Sequence, residues 1–495
     1  MPRLPLLAGS RIPVVRAAED AIVIRPPAPR EGVADVAAAV RDALRFPLAG
    51  PPLEALAIRG GRATVVVEPF SLPLPGALFD PRRAALGAAL DELGRLGVPE
   101  ERVTLLVAGG LGRRLRRREL EGLFEPARAR SFHGRVDVHD CESGELVQVG
   151  EADGLPLRVS PSLVDTDVVV TVTAAETVLH GGAATLLGAA NAQALRAADA
   201  PSLLESAGSR GWQLAVALER ALVQRVPAIG ASIVLNHPRL TNAYRGYPFE
   251  RGSSQALVRS PGRRVLNVLP GGLRRSWLEG LGRELSAVAA FGGPPSVAHA
   301  EALLRGLSLR GTRLEQPLDA IVVPVPWEGP HAPRHRQNPI TAATTALGLA
   351  LRLWRDAFPV VDGGTAVLLH RMSRRWEHET EPYRDFLAAA RDGDVTAAEA
   401  DAARDPRALK AYHDRHACHP LLPYRDWDAC RHALRRLGAV VVAGARDAPA
   451  ARALGFVPTH GTSAALTMAY GLGPEGARVG FLVGPPYPPL LVGGE

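Results

Sequence analysis

One histidine follows a strand that the residue pattern marks as buried. Val168–Val172 is a β-branched run, and residues 176–182 after it read ETVLHGG. Ligands of open α/β sheets bind outside the carboxyl ends of strands, and a histidine there can exchange a proton near neutral pH. Gly181 and Gly182 would let the backbone approach a ligand closely. We therefore predict that His180 is a catalytic acid/base; the alternative is a histidine that caps a helix or bonds a loop carbonyl.

A second candidate is a histidine-rich window in the C-terminal third. His413, His416 and His419 lie within seven residues, and Cys418 lies among them. The i, i+3 spacing of His416 and His419 would place both on one helix face, where a third ligand would complete a zinc site. Pro420 follows at once and no acidic partner is obvious. The alternative to a metal site is a solvated polar loop.

Three further patterns bear on chemistry. Residues 109–112 read GGLG after a strand, without the G-x-G-x-x-G spacing of a dinucleotide loop, which favours a tight turn or an anion-binding loop. His331 and His335 are spaced i, i+4, but prolines flank them. The sequence contains no G-x-x-x-x-G-K-[ST] loop and no G-x-S-x-G motif, so neither P-loop nor serine-hydrolase chemistry has support.

The composition is that of a globular protein of more than one domain. The 495 residues carry 58 basic and 51 acidic side chains, and Lys410 is the one lysine. The basic side chains are spread along the chain, and the densest run, 113–118, holds no aromatic residue, so we expect no nucleic-acid partner. Three cysteines give no disulfide framework, and no apolar run reaches 18 residues. We expect a cytoplasmic protein without a membrane segment.

The elements that must position these residues alternate between strand and helix. This order predicts an α/β protein of two domains, each with a mostly parallel sheet, and a cleft between them. We place the first domain at 1–315 and the second at 316–477, with a last strand at about 478–483 that returns to the first domain. A helix is predicted over 273–290, and residues 372–428 are predicted to form helices and loops over the cleft.

The order of segments resembles the nickel-pincer lactate racemase family. The resemblance runs through residues 62–76, 97–120 and 137–180, where His139-Asp140-Cys141 followed by Leu146–Gly150 is the most characteristic stretch. A weaker match covers Asp319 to the end. The resemblance implies two α/β domains with the active site between them, and racemisation or epimerisation of a 2-hydroxy acid. In the family a nickel-bearing pincer nucleotide accepts a hydride while a histidine takes the hydroxyl proton.

When the family's site residues are placed on this chain by the resemblance, some positions have the same residue and others have a different one. The resemblance makes His180 the second catalytic histidine, puts Gly112 where the first would be, and puts Leu72 at the substrate-holding arginine. The lysine that bonds the cofactor falls near Ala184, so covalent attachment is not expected, and the position of the nickel-ligand histidine has no counterpart. The family's Gln-x-x-Lys pair falls on Thr341 and Thr344. The predicted substrate- or cofactor-binding residues are Gly110, Gly112, Arg113, Gly181, Gly182, Gln337, Asn338, Thr341, Thr344 and Trp427.

Three functions stay open at this point. The first is an isomerase of a hydroxy acid or sugar acid, in which His180 is the acid/base and the pincer chemistry is altered or lost. The second is a non-catalytic protein that binds a small acid in the same cleft. The third is a different metal-dependent enzyme that uses His413, His416 or His419.

Overall fold

A computed structural model describes residues 1–70, 72, 79–327, 329, 336–485 and 487–493. His331, His335 and most of the loop at 69–75 lie outside these residues. None of the helices that the model describes is long and apolar enough to cross a membrane.

The described elements begin and end as follows. The strands are β1 (Arg3–Pro5), β2 (Val14–Arg16), β3 (Ile22–Ile24), β4 (Ala63–Val67), β5 (Val103–Val107), β6 (Arg135–Val138), β7 (Val147–Ala152), β8 (Leu155–Val159), β9 (Val168–Ala174), β10 (Ala228–Leu235), β11 (Arg239–Leu240), β12 (Arg283–Glu284), β13 (Ala287–Gly293), β14 (Thr312–Leu314), β15 (Leu318–Pro324), β16 (Trp354–Arg355), β17 (Val360–Leu369), β18 (Ala439–Ala443), β19 (Val457–Thr459), β20 (Val479–Leu482) and β21 (Leu490–Val492). The α-helices are α1 (Val36–Arg45), α2 (Leu53–Leu56), α3 (Pro81–Arg95), α4 (Arg117–Glu121), α5 (Pro126–Ser131), α6 (Ala183–Leu187), α7 (Ala192–Ala197), α8 (Arg210–Val223), α9 (Arg251–Arg259), α10 (Pro261–Val268), α11 (Gly271–Glu279), α12 (Pro295–Arg310), α13 (Pro339–Ala343), α14 (Pro382–Asp392), α15 (Val395–Ala402), α16 (Pro406–Arg415), α17 (Leu422–Leu434), α18 (Ala448–Ala453) and α19 (Thr462–Leu472).

The first sheet has the strand order β13-β10-β9-β4-β5-β6, and all neighbours are parallel except the edge pair β13 and β10. Its central strands are buried on both faces, as their β-branched runs predict. Along β4, Val65 and Val67 face the layer that holds α1 and α3, whereas Val66 faces the layer that holds α6 and α8. The sheet therefore has helices on both sides, and its carboxyl edge is free to carry a site.

The second sheet has the order β19-β18-β17-β15-β20-β3, and every pair is parallel. Together the two sheets confirm the predicted α/β class. The prediction that the last strand returns to the first domain is wrong: β20 pairs with β15 and with β3. The exchange runs the other way, because the N-terminal strand Ile22–Ile24 crosses over to become the edge of the second sheet. Apart from that strand, the two sheets fall on either side of the predicted boundary near residue 315.

The predicted helix over 273–290 is only partly present. Residues 271–279 form α11, but Ala287–Gly293 is a strand that pairs antiparallel with β10. A Cβ on Gly292 would lie 1.8 Å from the carbonyl oxygen of Ala43 in α1, so the strand packs at backbone contact with that helix. The alanine-rich sequence suits a helix, but small side chains also allow this close packing, and the tertiary contact decides.

Candidate active site between the domains

A cavity of about 690 Å³, counted with its open mouth, lies between the two domains. The first domain contributes Leu72, the loop residues Leu179 and His180, and Asp199. The second domain contributes residues 344–352 and the beginning of α17. Its lining there is Thr344, Thr345, Gly348, Leu349, Arg352, Leu422, Arg425, Asp426 and Ala429. The mixture of apolar walls with a few charged groups is typical of a small-molecule site.

His180 occupies the wall of this cavity at the carboxyl edge of the first sheet. It follows β9 in the loop 175–182, and its backbone N–H donates to the carbonyl of Thr177 at 3.2 Å. Its Nδ1 lies 2.9 Å from the hydroxyl of Thr177, which fixes the orientation of the ring. The side chain is half-buried. His180 is therefore held in place at the point where the fold predicts a ligand.

The glycines after His180 serve the packing of the loop. Gly181 and Gly182 have φ angles of +103° and +55°. His299 is a completely buried residue of α12. A Cβ on Gly181 would lie 2.3 Å from the His299 ring, and a Cβ on Gly182 would lie 2.3 Å from the Cβ of His299. Their N–H groups donate to Glu68 and Thr173 at 2.9 and 3.0 Å. Because those N–H groups already have partners and His299 fills the space, the two glycines do not offer a cradle for a ligand.

His299 contacts the loop 175–182 that carries His180. Its Nε2 lies 2.9 Å from the carbonyl oxygen of Thr177, and its Nδ1 lies 3.4 Å from the hydroxyl of Ser232. Burial lowers the pKa of His299 to about 4, so the ring is neutral at physiological pH and Nε2–H donates to the carbonyl. His299 therefore positions the His180 loop without itself lining the cavity.

A smaller cavity of about 340 Å³ adjoins the first one, and His180 and Leu72 line both. Two carboxylates reach it: Glu68, which follows β4, and Glu176, which follows β9. Burial raises the pKa of Glu68, while the Thr185 hydroxyl at 2.7 Å and the Gly181 N–H oppose that shift. Proton-exchanging groups with raised pKa values are common at catalytic sites.

The opposite wall is held by an ion pair between the domains. Arg352 is buried and donates to Asp199 Oδ1 at 3.2 Å, and His432 bonds the other oxygen of Asp199. Burial lowers the pKa of Arg352 to about 10, which still leaves it charged at pH 7. Arg196 adds bonds to Glu399 at 2.5 Å and Asp428 at 2.6 Å. These contacts fix the second domain against the first around the cavity.

Of the predicted binding residues in the second domain, the structure brings only Thr344 to the cavity. Gln337 Nε2 donates to the carbonyl of Pro326, and Asn338 caps α13 through the N–H groups of Ile340 and Thr341. Trp427 packs on Phe386 and Phe456 in the core of the second domain, with ring centroids 5.8 and 6.2 Å away. Gln337, Asn338 and Trp427 thus contact other residues of the second domain, and their part in binding stays a prediction.

The glycine loop at 109–112 is a turn beside the cavity. The N–H of Gly110 donates to the carbonyl of Gly188, and that of Gly112 donates to the carbonyl of Gly109. Gly110 has a φ of +56°, and a Cβ there would lie 4.0 Å from Arg425 Nη1. Arg113 is buried and bonded by both oxygens of Glu119. Gly110 thus adjoins the cavity wall, while Arg113 is already paired.

The three C-terminal histidines each contact a different part of the first domain. His413 Nδ1 lies 2.9 Å from Asp140, His416 Nδ1 lies 3.0 Å from the carbonyl of Arg114, and His419 Nε2 lies 2.9 Å from Glu142. Among the described residues, the one set of three metal-ligand side chains whose atoms lie within 4.8 Å of each other is Cys141, Glu142 and His419. His413 and His416 do not belong to that set, so the predicted histidine cluster is an interdomain contact.

In that set both ring nitrogens of His419 already have partners. Nδ1 accepts the N–H of Leu421 at 3.1 Å, which leaves the proton on Nε2 for Glu142. Burial raises the pKa of the Cys141 thiol to about 12. The arrangement is that of a satisfied hydrogen-bond network.

The residues of the site do not fit a covalently held pincer nucleotide. The loop 181–188 reads GGAATLLG and contains no lysine, and Ala184 is buried in α6. Lys410, the one lysine of the sequence, is exposed on α16. Arginine does not replace it, because a guanidinium stays protonated and is a poor nucleophile. The loop at the site therefore provides no amine for the attachment.

Sequence reasoning missed Glu68, His299 and Arg352. Glu68 has a signal that could have been used, since it directly follows a buried strand. His299 and Arg352 lie within helical segments, and only the packing of α12 and of the domains shows what they contact.

Comparisons with known proteins show what the N-terminal part of the chain and the overall fold resemble. Residues 12–190 match the family described as lactate racemase N-terminal domain. The lactate racemase apoprotein from Thermoanaerobacterium thermosaccharolyticum has a TM-score of 0.60 and 14% identity over 97% of this chain and 98% of that chain. A Thermotoga maritima protein has a TM-score of 0.51 and 11% identity over 93% of this chain and all of its own. No curated protein matches the chain in sequence. Residues 12–190 are therefore similar to lactate racemase N-terminal domains, and the chain as a whole shares the fold of the lactate racemase apoprotein.

Proposed function

We propose that the chain binds a small 2-hydroxy acid or sugar acid in the cavity between its domains and racemises or epimerises it. The observation that carries this proposal is the place of His180, in the cavity wall at the carboxyl edge of the first sheet. The lactate racemase resemblance supports the substrate class and the type of reaction. His180 would take the hydroxyl proton of the acid and return it.

The hydrogen on the substrate carbon must move as well. If it leaves with its electron pair, the reaction needs a hydride acceptor, and amino-acid side chains are not hydride acceptors. Since the loop 181–188 offers no amine for a covalent attachment, that acceptor would be bound without a covalent link. An isomerase reaction that moves a hydride in this cavity therefore depends on a separate, dissociable cofactor.

The test is conversion of single enantiomers of lactate and glycerate by the purified protein, supplemented with heat-treated extract of the producing cells as a source of the dissociable cofactor, followed by chiral chromatography. The wild type is expected to convert them, and His180→Ala is expected to lower the rate about 100-fold or more. His133→Ala is the matched control, because His133 is exposed and pairs with Glu100 on the surface of the first domain. If His180→Ala converts the acids at the wild-type rate, the assigned role is wrong. Intact mass and nickel content of the same samples report the state of any cofactor.

The second candidate function is binding without catalysis. The absence of a lysine from the loop 181–188 favours it, because the family's cofactor would lose its attachment. Binding of the acids without any conversion, in protein that contains neither nickel nor a nucleotide mass, would support this candidate over the isomerase.

A further inference from the structure

Leu72 and Arg425 line the same cavity from opposite domains. Leu72 is the position where the family resemblance puts the arginine that holds the substrate, so the first domain has an apolar side chain there. Arg425 belongs to α17 of the second domain, and its Nη1 would lie 4.0 Å from a Cβ on Gly110 of the first domain. The first-domain wall therefore has an apolar side chain where the resemblance places a cation, and the second domain contributes two cations, Arg352 and Arg425.

Arg425 has no hydrogen-bond or ion-pair partner for its guanidinium among the residues that the structure describes, although it is half-buried. The nearby carboxylates have other partners. Asp199 is bonded by Arg352 and His432, and Asp426 accepts the hydroxyl of Tyr383 at 2.5 Å. Burial lowers the pKa of Arg425, and attraction by Asp426 and Asp199 opposes that shift. A guanidinium nonetheless stays charged at pH 7.

A half-buried guanidinium without a partner has lost part of its hydration and gained no hydrogen bond for it. A carboxylate in the cavity would restore that bond, because the planar fork of arginine matches the two oxygens of a carboxylate. Resting on the function proposed above, we infer that Arg425 is the group that binds the substrate carboxylate, in place of the arginine that Leu72 replaces. The acid would then lie between His180 of one domain and Arg425 of the other.

The experiment measures binding of L-lactate and of its neutral analogue L-lactamide by calorimetry. Wild type is expected to bind lactate more tightly than lactamide, and Arg425→Met is expected to weaken lactate binding about 10- to 100-fold with little effect on lactamide. Arg431→Met is the matched control, since Arg431 lies on the same helix, is exposed and pairs with Asp428. The double variant Leu72→Arg, Arg425→Met returns a cation to the opposite wall and is expected to regain part of the affinity. Urea unfolding of each variant shows that loss of binding is not loss of fold.

Two results would overturn the inference: lactate binding by Arg425→Met equal to that of wild type, or a wild type that does not distinguish lactate from lactamide. The outcome is separable from that of the proposed function. Lactate that binds through Arg425 but is never racemised supports the inference and contradicts the isomerase. Racemisation that Arg425→Met leaves unchanged in KM supports the isomerase and contradicts the inference.

Discussion

At the scale of single residues, the site depends on the loop 175–182 and on the His299 side chain that packs against it. Thr177 and His299 fix the loop that carries His180, and Gly181 and Gly182 leave the room that His299 needs. The position of His180 could be predicted from sequence, because the carboxyl end of a buried strand is a local pattern. The role of the glycines could not, since it depends on a histidine more than a hundred residues away in α12.

The loop packing predicts a specific cost for Gly182→Ala. The substitution should lower the free energy of unfolding by about 3–5 kcal/mol, because it adds a clash with His299 to the strain of a positive φ. Gly393→Ala should cost only about 1–2 kcal/mol, since Gly393 has a φ of +84° but no atom within 4 Å of its Cβ position. Urea unfolding of both variants measures the difference. Equal costs would show that His299 does not restrict the loop.

At the scale of elements, the sheets follow from the sequence better than the connections between them. The buried runs of β4 and β9 are rich in β-branched residues, so their type is set locally. The strand Ala287–Gly293 begins within the helix that the sequence predicts over 273–290. The alanine-rich sequence gives no sign of its contact with α1, because that contact is a tertiary one. The sequence of Ile22–Ile24 also does not predict which sheet this strand joins, since any parallel edge accepts an apolar strand.

The helix pair α1 and α3 predicts a pH dependence of stability. Glu92 is buried on α3, and hydrogen bonds from Arg45 and Arg95 lower its pKa from the ordinary 4.5 to about 2. A carboxyl with a lowered folded-state pKa stabilises the fold fully above pH 4.5, and this stabilisation is lost as the pH falls toward 2. Between pH 6 and pH 3.5 the wild type should therefore lose roughly 1 kcal/mol more of its free energy of unfolding than Glu92→Gln.

Urea unfolding at the two pH values checks this, with Glu121→Gln as the control, because Glu121 is exposed and pairs only with Arg117 among the described residues. If Glu92→Gln and wild type show the same pH dependence, the bonds between α1 and α3 do not act on the carboxyl as described.

At the scale of the whole molecule, the site exists only because two domains meet. His180 and Asp199 come from the first domain, and Thr344, Arg352 and Arg425 come from the second. The sequence resemblance implied a site between domains but could not show Arg425, since the face of α17 that meets the cavity is decided by domain packing. Arg196 and Arg352 form ion pairs across the domain boundary, and these pairs fix the position of one cavity wall relative to the other.

Hydrogen exchange followed by mass spectrometry, with and without saturating L-lactate, tests most directly whether the ligand site lies between the domains. Lactate is expected to slow exchange in two separate segments together, the loop 175–182 of the first domain and the beginning of α17 around 422–428. Protection confined to one domain, or located away from both segments, would contradict a site shared by His180 and Arg425.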